Sequence, residues 1–565
     1  MLSGLMQEFR TKVLIVGGGP VGLALAIELG WRGVDNLLID RRDGSIPLPK
    51  MNGVNARTME FCRRWGIADR VRSAGWPDDY PVRLIFCTNL RGHEFFRYDR
   101  GTALERKPSS TTPEHFQRCP QTWFDPILRE QAAGMPTNTL RYRSRLERFE
   151  DHGDHVLAEV ADLDDGTTMR VIADYMVACD GAKSGVRSSL GIAADGDARL
   201  SNELNIYFES SQLYAGIEER RAAMSWLVGP EGMWGALSAI DGRKTWRLWL
   251  SQLEPGVDLD SSDKAKYVRA AIGPETPFTV LGVLPWDRQQ LVARHFRKGR
   301  VFLCGDAVHN LTPTGGFGMN TGIQDAVDLG WKLAATFEGW ADPKILDTYE
   351  FERRPVAVRN VDEASYTFSL VSGLPKLAAL QEESSRGALA RVQLRERLAQ
   401  QEYRREYVNE GIVLGYRYDP SPICIPDGSP APPDRVMSYQ QSARPGSRAP
   451  HVWLGPGRST LDFFGRGFVL LRLGAGVASG QAFADAARAR RVPLRIVSLE
   501  DPAVRECYER QLVLVRPDGH VAWRGDAEPG NALDVIDVVR GAAPLPVASV
   551  APEIYRFDLG RVLPE

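Results

Sequence analysis

A glycine-rich stretch near the start of the sequence has the residue types and the spacing to hold a nucleotide. The sequence GGGPVG at 17–22 follows the apolar run KVLIV and precedes a segment rich in Ala and Leu. Gly17 permits a tight turn, and Gly19 lets the backbone approach a diphosphate at a helix N-terminus. Gly22 allows the helix to pack closely on the strand. We therefore expect Gly17, Gly19, Pro20 and Gly22 to form a dinucleotide cradle.

A carboxylate closes the next apolar run. The segment from Asn36 to Asp40 is typical of a second buried strand, and Asp40 lies 18 residues after Gly22. At that distance an acid can accept hydrogen bonds from the ribose hydroxyls of a bound dinucleotide. We assign Asp40 and the adjacent Arg41 to this site. The fingerprint alone does not distinguish NAD from FAD, so the later motifs must decide.

Two later stretches favour a flavin. Asp180 follows an apolar run and opens DGAKSGVR, and an Asp-Gly turn at the end of a strand lies where open α/β sheets bind ligands. Asp306 lies in GDAVHNLTPTGGFGMN at 305–320, and its carboxylate suits a ribityl hydroxyl. Backbone N–H groups from Gly318 to Asn320, at the start of a second helix, suit the electron-rich pyrimidine edge of a flavin.

In their order and spacing, the three motifs resemble the single-component FAD-dependent aromatic hydroxylases of the p-hydroxybenzoate hydroxylase and phenol 2-monooxygenase type. The resemblance covers about residues 12–365. It implies an enzyme that hydroxylates a phenolic or related aromatic substrate with O₂ and NADPH or NADH, through a flavin C4a-hydroperoxide. The sequence holds one nucleotide cradle, so we expect the nicotinamide to have no Rossmann domain of its own.

The resemblance also implies roles for single residues. Arg57 would contact the diphosphate or the ribityl chain, with an ordinary surface arginine on a helix as the alternative. Gln121 would face the ribityl chain, and Pro313 would present its carbonyl near the site of hydroxyl transfer. The other residues implied to bind FAD are Asp180, Asp306, Gly318, Met319 and Asn320.

The catalytic base is not identified. The phenol hydroxylase branch has an acidic residue near the position of Asn52, and an amide cannot serve as a base. We interpret His309 as structural. Alternating, aromatic-rich segments at 77–117 and 191–290 predict a sheet. The resemblance places this mixed sheet as a roof over the flavin. Core packing is the competing interpretation for each aromatic residue of the candidate substrate pocket, which comprises Asn52, Tyr207, Tyr214, Trp226, Trp234 and Trp246.

These features predict an α/β fold. A Rossmann-like FAD-binding domain (1–76, 118–190 and 291–415) would be interleaved with a mixed-sheet substrate domain (77–117 and 191–290). A proline-rich linker (416–450) would lead to a thioredoxin-like C-terminal domain (451–565) that lacks a CxxC motif. We also expect one long helix from Lys376 to Tyr403.

Composition excludes several classes of function. The 565 residues include 70 Lys and Arg against 72 Asp and Glu, which gives no electrostatic basis for binding nucleic acid. Seven cysteines without CxxC spacing predict neither a disulfide scaffold nor a metal site. The apolar run from Val13 to Ile27 contains four glycines and Pro20, which argues against a membrane span or a signal peptide. We expect a cytoplasmic protein, with a homodimer left open.

Three alternatives remain at this point. One is Baeyer–Villiger or epoxidising oxygenation of a polyketide or drug-like aromatic on the same scaffold. A second is a flavin halogenase, but the WxWxIP signature of that family is absent from the sequence. The third belongs to another class, a non-catalytic flavoprotein that binds aromatic ligands.

Overall fold

The computed structural model describes residues 7–253 and 261–546. Within these ranges the strands are β1 Gln7–Val16, β2 Asn36–Ile39, β3 Gly53–Val54, β4 Arg83–Cys87, β5 Glu94–Asp99, β6 Gln117–Arg118, β7 Asn138–Arg141, β8 Ser144–Asp151, β9 Val156–Asp162, β10 Thr168–Ala178, β11 Ala194–Glu209, β12 Met224–Gly229, β13 Gly232–Ala239, β14 Thr245–Leu253, β15 Thr279–Ala293, β16 Arg297–Lys298, β17 Val301–Leu303, β18 His309–Asn310, β19 Phe468–Leu473, β20 Leu494–Leu499, β21 Leu512–Val515 and β22 Val521–Gly525.

The α-helices of the same ranges are α1 Pro20–Trp31, α2 Ala56–Arg64, α3 Ala68–Arg72, α4 Gln121–Ala133, α5 Gly185–Ser189, α6 Ser261–Ile272, α7 Gly318–Phe337, α8 Thr348–Ser372, α9 Ser385–Leu398, α10 Glu410–Leu414, α11 Gln481–Ala489, α12 Pro502–Tyr508 and α13 Ala532–Val539. Each of them is too short or too polar to cross a lipid bilayer.

The first sheet carries the nucleotide motifs. Its strands β17, β10, β1, β2 and β7 are parallel neighbours in that order, with β16 at one edge and the hairpin β8–β9 joined to β10. Residues Val13–Val16 are almost completely buried, as expected for a parallel strand that is covered on both faces. Helix α1 packs against α7 and α4. This arrangement brings the carboxyl ends of β1, β10 and β17 to one edge of the sheet.

The second sheet forms the roof that the aromatic segments predict. Its strand order is β18-β15-β11-β14-β13-β12-β4-β5, antiparallel except for the β12–β4 pair. One face packs on α6 in a cluster that includes Phe208, Trp246 and Leu248. Part of the other face, including Trp226 and Trp249, packs on side chains of α8 and α9. The rest of that face is open to a cavity.

The third sheet has the order β20-β19-β21-β22, with β20 parallel and β21 antiparallel to β19. The order β19-α11-β20-α12-β21-β22-α13 is that of a thioredoxin-like domain. The interleaved α/β fold with this C-terminal addition is therefore confirmed.

The long helix expected from Lys376 to Tyr403 is wrong. Helix α8 ends at Ser372, and Gly373 caps it two residues before Pro375. A turn segment follows, and α9 begins after Ser384, whose side chain accepts a hydrogen bond from the Gly387 N–H. The evenly spaced leucines of this region thus belong to two separate structural elements.

Candidate functional site

A cavity of about 1350 Å³ lies between the carboxyl edge of the first sheet and the roof sheet. Ordinary ligand sites measure roughly 300–1,000 Å³, so this space can hold a dinucleotide and a second ligand together. Of the predicted cofactor and catalytic residues, those that line it are Gly17, Gly19, Pro20, Asp40, Arg41, Gln121, Asp180, Asp306, Pro313, Gly318, Met319 and Asn320.

The cradle at the end of β1 has little room except toward the cavity. Gly17 has a φ of +114°, and a Cβ there would lie 2.3 Å from the carbonyl oxygen of Cys179. A Cβ on Gly19 would meet nothing within 4 Å, because this position faces open space. Gly22 lies in α1 directly against the backbone of Gly17. The N-terminus of α1, which begins at Pro20, can therefore be approached closely by a ligand.

Asp40 has a structural task in addition to its predicted contact with ribose. Its Oδ2 accepts a hydrogen bond of 2.6 Å from the Gly18 N–H, and its Oδ1 accepts one of 2.7 Å from the Arg42 N–H. The carboxylate thus fixes the cradle to the end of β2. Each oxygen keeps a second lone pair that can accept from a hydroxyl group.

The two later acids approach the cavity from neighbouring strands. Asp180 Oδ2 accepts a hydrogen bond of 3.2 Å from the Val186 N–H, while its buried Oδ1 has no partner among the described residues. Asp306 presents its side chain to the cavity. Desolvation by the surrounding protein raises the pKa of this carboxyl, whereas the charges of His309 and Lys50 lower it. Both acids are therefore available to donors on a ligand.

Behind Asp306, three buried side chains, those of His309, Asp325 and Arg353, hold the loop in place. His309 Nε2 lies 2.6 Å from Asp325 Oδ2, and the Arg353 Nε–H donates to Asp325 Oδ1 at 2.7 Å. The Asp325 carboxyl has a lowered pKa; burial would raise it, but the Arg353 and His309 charges outweigh burial. The position of His309, fully buried and away from the cavity lining, agrees with a structural role.

The N-terminus of α7 opens on the same space. The Asn320 side chain accepts a hydrogen bond from the Asn55 N–H at 3.0 Å and donates to the Gly316 carbonyl at 2.8 Å, so it clamps the loop rather than facing a ligand. The Pro313 carbonyl accepts the Gly316 N–H at 3.0 Å within a tight turn. What this loop offers the cavity is mainly backbone around Gly318 and Met319.

Gln121 lies at the start of α4 and is held from two sides. Its Oε1 accepts from the Lys50 N–H at 3.1 Å, and its Nε2 donates to Asp125 Oδ2 at 2.9 Å. Burial raises the pKa of Asp125 to about 7, partly offset by the bond from Gln121. Sequence reasoning did not identify Asp125.

The structure does not bring Arg57 to the cavity. Its guanidinium donates to Glu60 at 2.8 Å, to the Tyr416 hydroxyl at 3.2 Å and to the Asp518 carbonyl at 3.0 Å, all in buried surroundings. Asp518 belongs to the C-terminal domain. Neither the predicted phosphate contact nor a surface position describes this side chain, which instead links α2 to that domain.

Of the six predicted substrate residues, only Asn52 and Trp226 line the cavity. Trp246 donates to the Ser210 carbonyl at 2.9 Å and packs edge-to-face with Tyr214 on the α6 side of the roof. The Tyr207 hydroxyl donates to the Pro49 carbonyl at 2.6 Å. Trp234 packs against the same α6-side cluster. Core packing, the competing interpretation, describes these four aromatic residues.

Several residues missed by sequence reasoning form the far end of the cavity, which we call the substrate end. On β14 the alternate residues Arg247 and Trp249 face inward, whereas Trp246 and Leu248 face α6. Alternation alone could have paired Arg247 with Trp249, but nothing in the sequence shows which face is open. The substrate end as used below comprises Arg118, Asn205, Trp226, Arg247, Trp249, Glu406 and Tyr407.

The aromatic wall of the substrate end is tightly packed. The Trp226 ring stacks on Phe86 with a centroid distance of 6.1 Å and meets Trp249 edge-to-face at 5.6 Å. The Trp226 Nε1–H donates to the Tyr407 hydroxyl. Rings fixed in this way present a rigid apolar surface to a flat ligand.

The residues present fit FAD. Two helix N-termini, at Pro20 and Gly318, open on one cavity with clear space above Gly19. They suit an anionic diphosphate and the electron-rich edge of a flavin. The carboxylates of Asp180 and Asp306, two residues that line the cavity, suit hydroxyl donors along the connecting chain.

Comparison with known proteins defines the class of protein. A family model described as an FAD-binding domain matches residues 10–364, and one for the C-terminal domain of aromatic-ring hydroxylases matches residues 442–542. The chain belongs to the FAD-dependent aromatic monooxygenases. This confirms the resemblance drawn from the three motifs and the assignment as an enzyme.

Individual relatives agree over the whole length. The chain is 32% identical to a 2,4-dichlorophenol 6-monooxygenase from Cupriavidus pinatubonensis, covering 94% of this chain and 96% of that protein. The rebeccamycin biosynthetic enzyme RebC, solved with reduced flavin, is similar at 43% identity with a TM-score of 0.89, covering 95% of this chain and all of RebC. Aklavinone-11 hydroxylase, solved with FAD and aklavinone, is 30% identical with a TM-score of 0.80, covering 94% and 99%.

Proposed function

We propose that this enzyme oxygenates a polycyclic aromatic carboxylic acid, with a reduced nicotinamide as electron donor and O₂ as the source of oxygen. The observation that carries this proposal is the pair Arg118 and Arg247 at the substrate end. Neither guanidinium forms an ion pair with a carboxylate in the described part of the chain. Two half-buried cations that are neighbours on the cavity wall favour an anion from outside the protein.

The surroundings of Arg118 support this. Its pKa is lowered to about 10, first by burial and then by the positive charge of Arg247. It donates one hydrogen bond of 3.0 Å to the Ala223 carbonyl, and the buried Nε of Arg247 has no partner. A bound carboxylate would relieve the repulsion and accept the free N–H groups.

A relative points to the same class of ligand. RebC soaked with chromopyrrolic acid was solved with bound 7-carboxy-K252c, and both names denote acids. The cavity here has room for a ligand of such size beside a dinucleotide. We expect Trp226 and Trp249 to pack against the ring system while Arg118 and Arg247 bind its carboxylate.

The protein would contribute position and exclusion of water. FAD, once bound and reduced, supplies the activation of O₂. The roof strands would shield the reacting ring from bulk solvent, which favours oxygen transfer over loss as H₂O₂. The two arginines would fix which ring edge faces the loop at Pro313 to Gly318. Asp180, Asp306 and the backbone around Met319 would hold the cofactor.

Full-length, FAD-loaded enzyme tests the proposal by turnover. Chromopyrrolic acid, 7-carboxy-K252c and uncharged K252c are each supplied with NADPH or NADH, and nicotinamide oxidation and product mass are followed. We expect the two acids to stimulate oxidation and to yield oxygenated products, with a much weaker response to K252c. Equal responses to charged and uncharged ligands would refute the acid assignment. Fragmentation of the products separates hydroxylation from ring expansion.

Arg247→Met provides the matching variant. Losing a charge-assisted bond worth about 1.5–3 kcal/mol should raise the KM for an acid roughly 10- to 150-fold. The response to K252c should change little. Arg243→Met, in the exposed turn before the same strand, is the control and should leave both values unchanged. An unchanged KM for the acid in Arg247→Met contradicts the proposed contact.

We also propose roles for single cofactor-side residues, a cellular location and an oligomeric state. We keep Asp40 and Arg41 as ribose-side contacts and Gln121 as a ribityl-side contact, supported by their place on the cavity wall. Cytoplasmic location follows from the need for NADPH or NADH. A homodimer stays a prediction.

A further inference from the structure

The substrate end contains a buried carboxyl that no motif predicted. Glu406 lies in the loop between a 3-10 turn at Gln401–Arg404 and α10, and its side chain is 8% exposed. The residue lines the cavity, and its buried Oε2 has no hydrogen-bond partner among the described residues. A buried carboxyl oxygen without a partner is costly, so its retention at a ligand site calls for an explanation.

Glu406 lies where the flavin loop and the roof sheet meet. Its closest polar neighbours are the Tyr407 hydroxyl and the Gly315 backbone, and the nearest charges are Arg288 and Arg118. The Tyr407 hydroxyl in turn accepts the Trp226 Nε1–H. Glu406 is thereby adjacent both to the turn that follows Pro313 and to the aromatic wall of the substrate end.

The loop that carries Glu406 is held firmly. Arg405 Nε donates to Glu363 on α8 at 2.8 Å, and Asn409 Nδ2 donates to the Glu406 carbonyl at 2.9 Å. Arg288 is occupied by Glu203 at 3.1 Å, so it does not neutralise Glu406 by direct contact. The backbone at Glu406 is therefore held in place, while the Oε2 of its side chain has no hydrogen-bond partner in the described part of the chain.

Two other carboxyls of the cavity, those of Glu114 and Asp125, are less suitable for proton transfer to a substrate. Glu114 is paired with Arg63 and Arg72. Asp125 bonds to Gln121 at the end of the cavity nearest the nucleotide cradle. Asn52 offers only an amide.

We propose that Glu406 is the catalytic base of this enzyme and takes the proton from a hydroxyl or ring N–H of the bound aromatic substrate. This inference rests on the proposed oxygenation of an aromatic acid. The proton leaves the substrate heteroatom for the Glu406 carboxylate, and the electron pair that remains makes the ring nucleophilic. After the ring has accepted oxygen, it loses the proton of the attacked carbon to solvent. Glu406 then returns its proton to the heteroatom, so the residue ends unchanged.

Electrostatics tune the group for this task. Burial raises the pKa of Glu406 to about 7, while Tyr407, Arg288, the Gly315 backbone and Arg118 act in the opposite direction. A base with a pKa near the working pH combines a useful ionised fraction with adequate basicity. Tyr407 itself stays protonated, because burial and the neighbouring Glu406 raise its pKa well above the usual value.

The test compares Glu406→Gln, Glu406→Asp and wild type as FAD-loaded full chains with an aromatic acid substrate. We expect Glu406→Gln to form oxygenated product about 10²–10⁴-fold more slowly and to release H₂O₂ instead. Anaerobic flavin reduction should stay near the wild-type rate. In wild type, product formation should rise with pH through about 7, and this rise should be absent from Glu406→Gln. Glu406→Asp should restore part of the rate.

Glu402→Gln, an exposed neighbour on the 3-10 turn, is the control. Equal product rates and equal pH profiles in wild type and Glu406→Gln would overturn this inference and leave the proposed function intact. A wild-type pH profile without a rise near 7 would overturn it even if the variants failed to fold. Wild type that oxygenates none of the acids would overturn the proposed function, and this inference with it.

Discussion

Two regions of this protein differ in whether their charged side chains have charged partners. In the joint between the FAD-binding and C-terminal domains, Arg516 contacts Glu352 at 2.5 Å and Asp518 at 2.7 Å. Lys332 contacts Glu352 at 2.6 Å and Asp328 at 2.7 Å. At the substrate end, by contrast, Arg118, Arg247 and Glu406 each keep polar atoms without a charged partner in the described chain.

The difference separates structure from function. A buried ion pair that is fully formed holds its neighbours in place, and breaking it leaves an uncompensated charge. A charged side chain on a cavity wall that lacks a charged partner lowers stability, so it marks a place where a ligand or a proton completes the arrangement. On this view the joint holds the C-terminal domain in place, and the substrate end binds a ligand that carries an anionic group and can donate a proton.

Breaking the joint should have the largest effect. Arg516→Met leaves Glu352 and Asp518 short of a counter-charge, so we expect the free energy of unfolding to fall by about 3–5 kcal/mol. Chemical denaturation with FAD release as a second signal measures this. Arg510→Met, which breaks a partly exposed pair with Asp526, should cost no more than about 1 kcal/mol. Similar losses in the free energy of unfolding of both variants would contradict the stabilising role of the joint.

The joint should also weaken in acid. Burial lowers the pKa of His520 to about 4, so the folded protein resists a proton that the unfolded chain accepts near 6.5. The resulting stability is complete above pH 6.5 and is lost as the pH falls toward 4, by about 3 kcal/mol in all. In His520→Gln this loss should be smaller. Denaturation series at pH 7.5 and 4.5 measure it, and identical pH dependence in both proteins would contradict the account.

Two substitutions on β14 should have smaller effects and show which face of the strand lines the substrate end. Trp249→Phe shortens the aromatic wall and should raise the KM for substrate roughly tenfold, about 1.4 kcal/mol of binding. Trp246→Phe, on the opposite face of the same strand, should lower the melting temperature with KM unchanged. Steady-state kinetics and thermal unfolding of both variants distinguish the faces. A raised KM in Trp246→Phe alone would place the open face on the other side.

Much of the fold could be predicted because it rests on local patterns. GGGPVG followed by an acid predicts the cradle through glycine spacing alone, and the acids at 180 and 306 line the same cavity as that cradle. The apolar run that ends at Asp40 predicted the second strand, found at Asn36–Ile39, since a buried strand needs consecutive apolar side chains.

What could not be predicted depends on long-range packing. Trp246 and Trp249 have the same residue type on one strand, and only the placement of α6 decides which faces the core. The resemblance implied a cofactor contact for Arg57, yet two of its three partners, Tyr416 and Asp518, lie hundreds of residues away in the sequence. Glu406 sits in a loop without a motif, and only the folded chain brings it to the substrate end.

Spectral titration of the purified, FAD-loaded full chain tests the central claim, that one cavity binds a flavin beside an aromatic acid. Addition of 7-carboxy-K252c should perturb the visible flavin bands saturably, and uncharged K252c should do so only at much higher concentration. A chain that holds no flavin after reconstitution, or flavin bands that the acid leaves unchanged, would contradict the account.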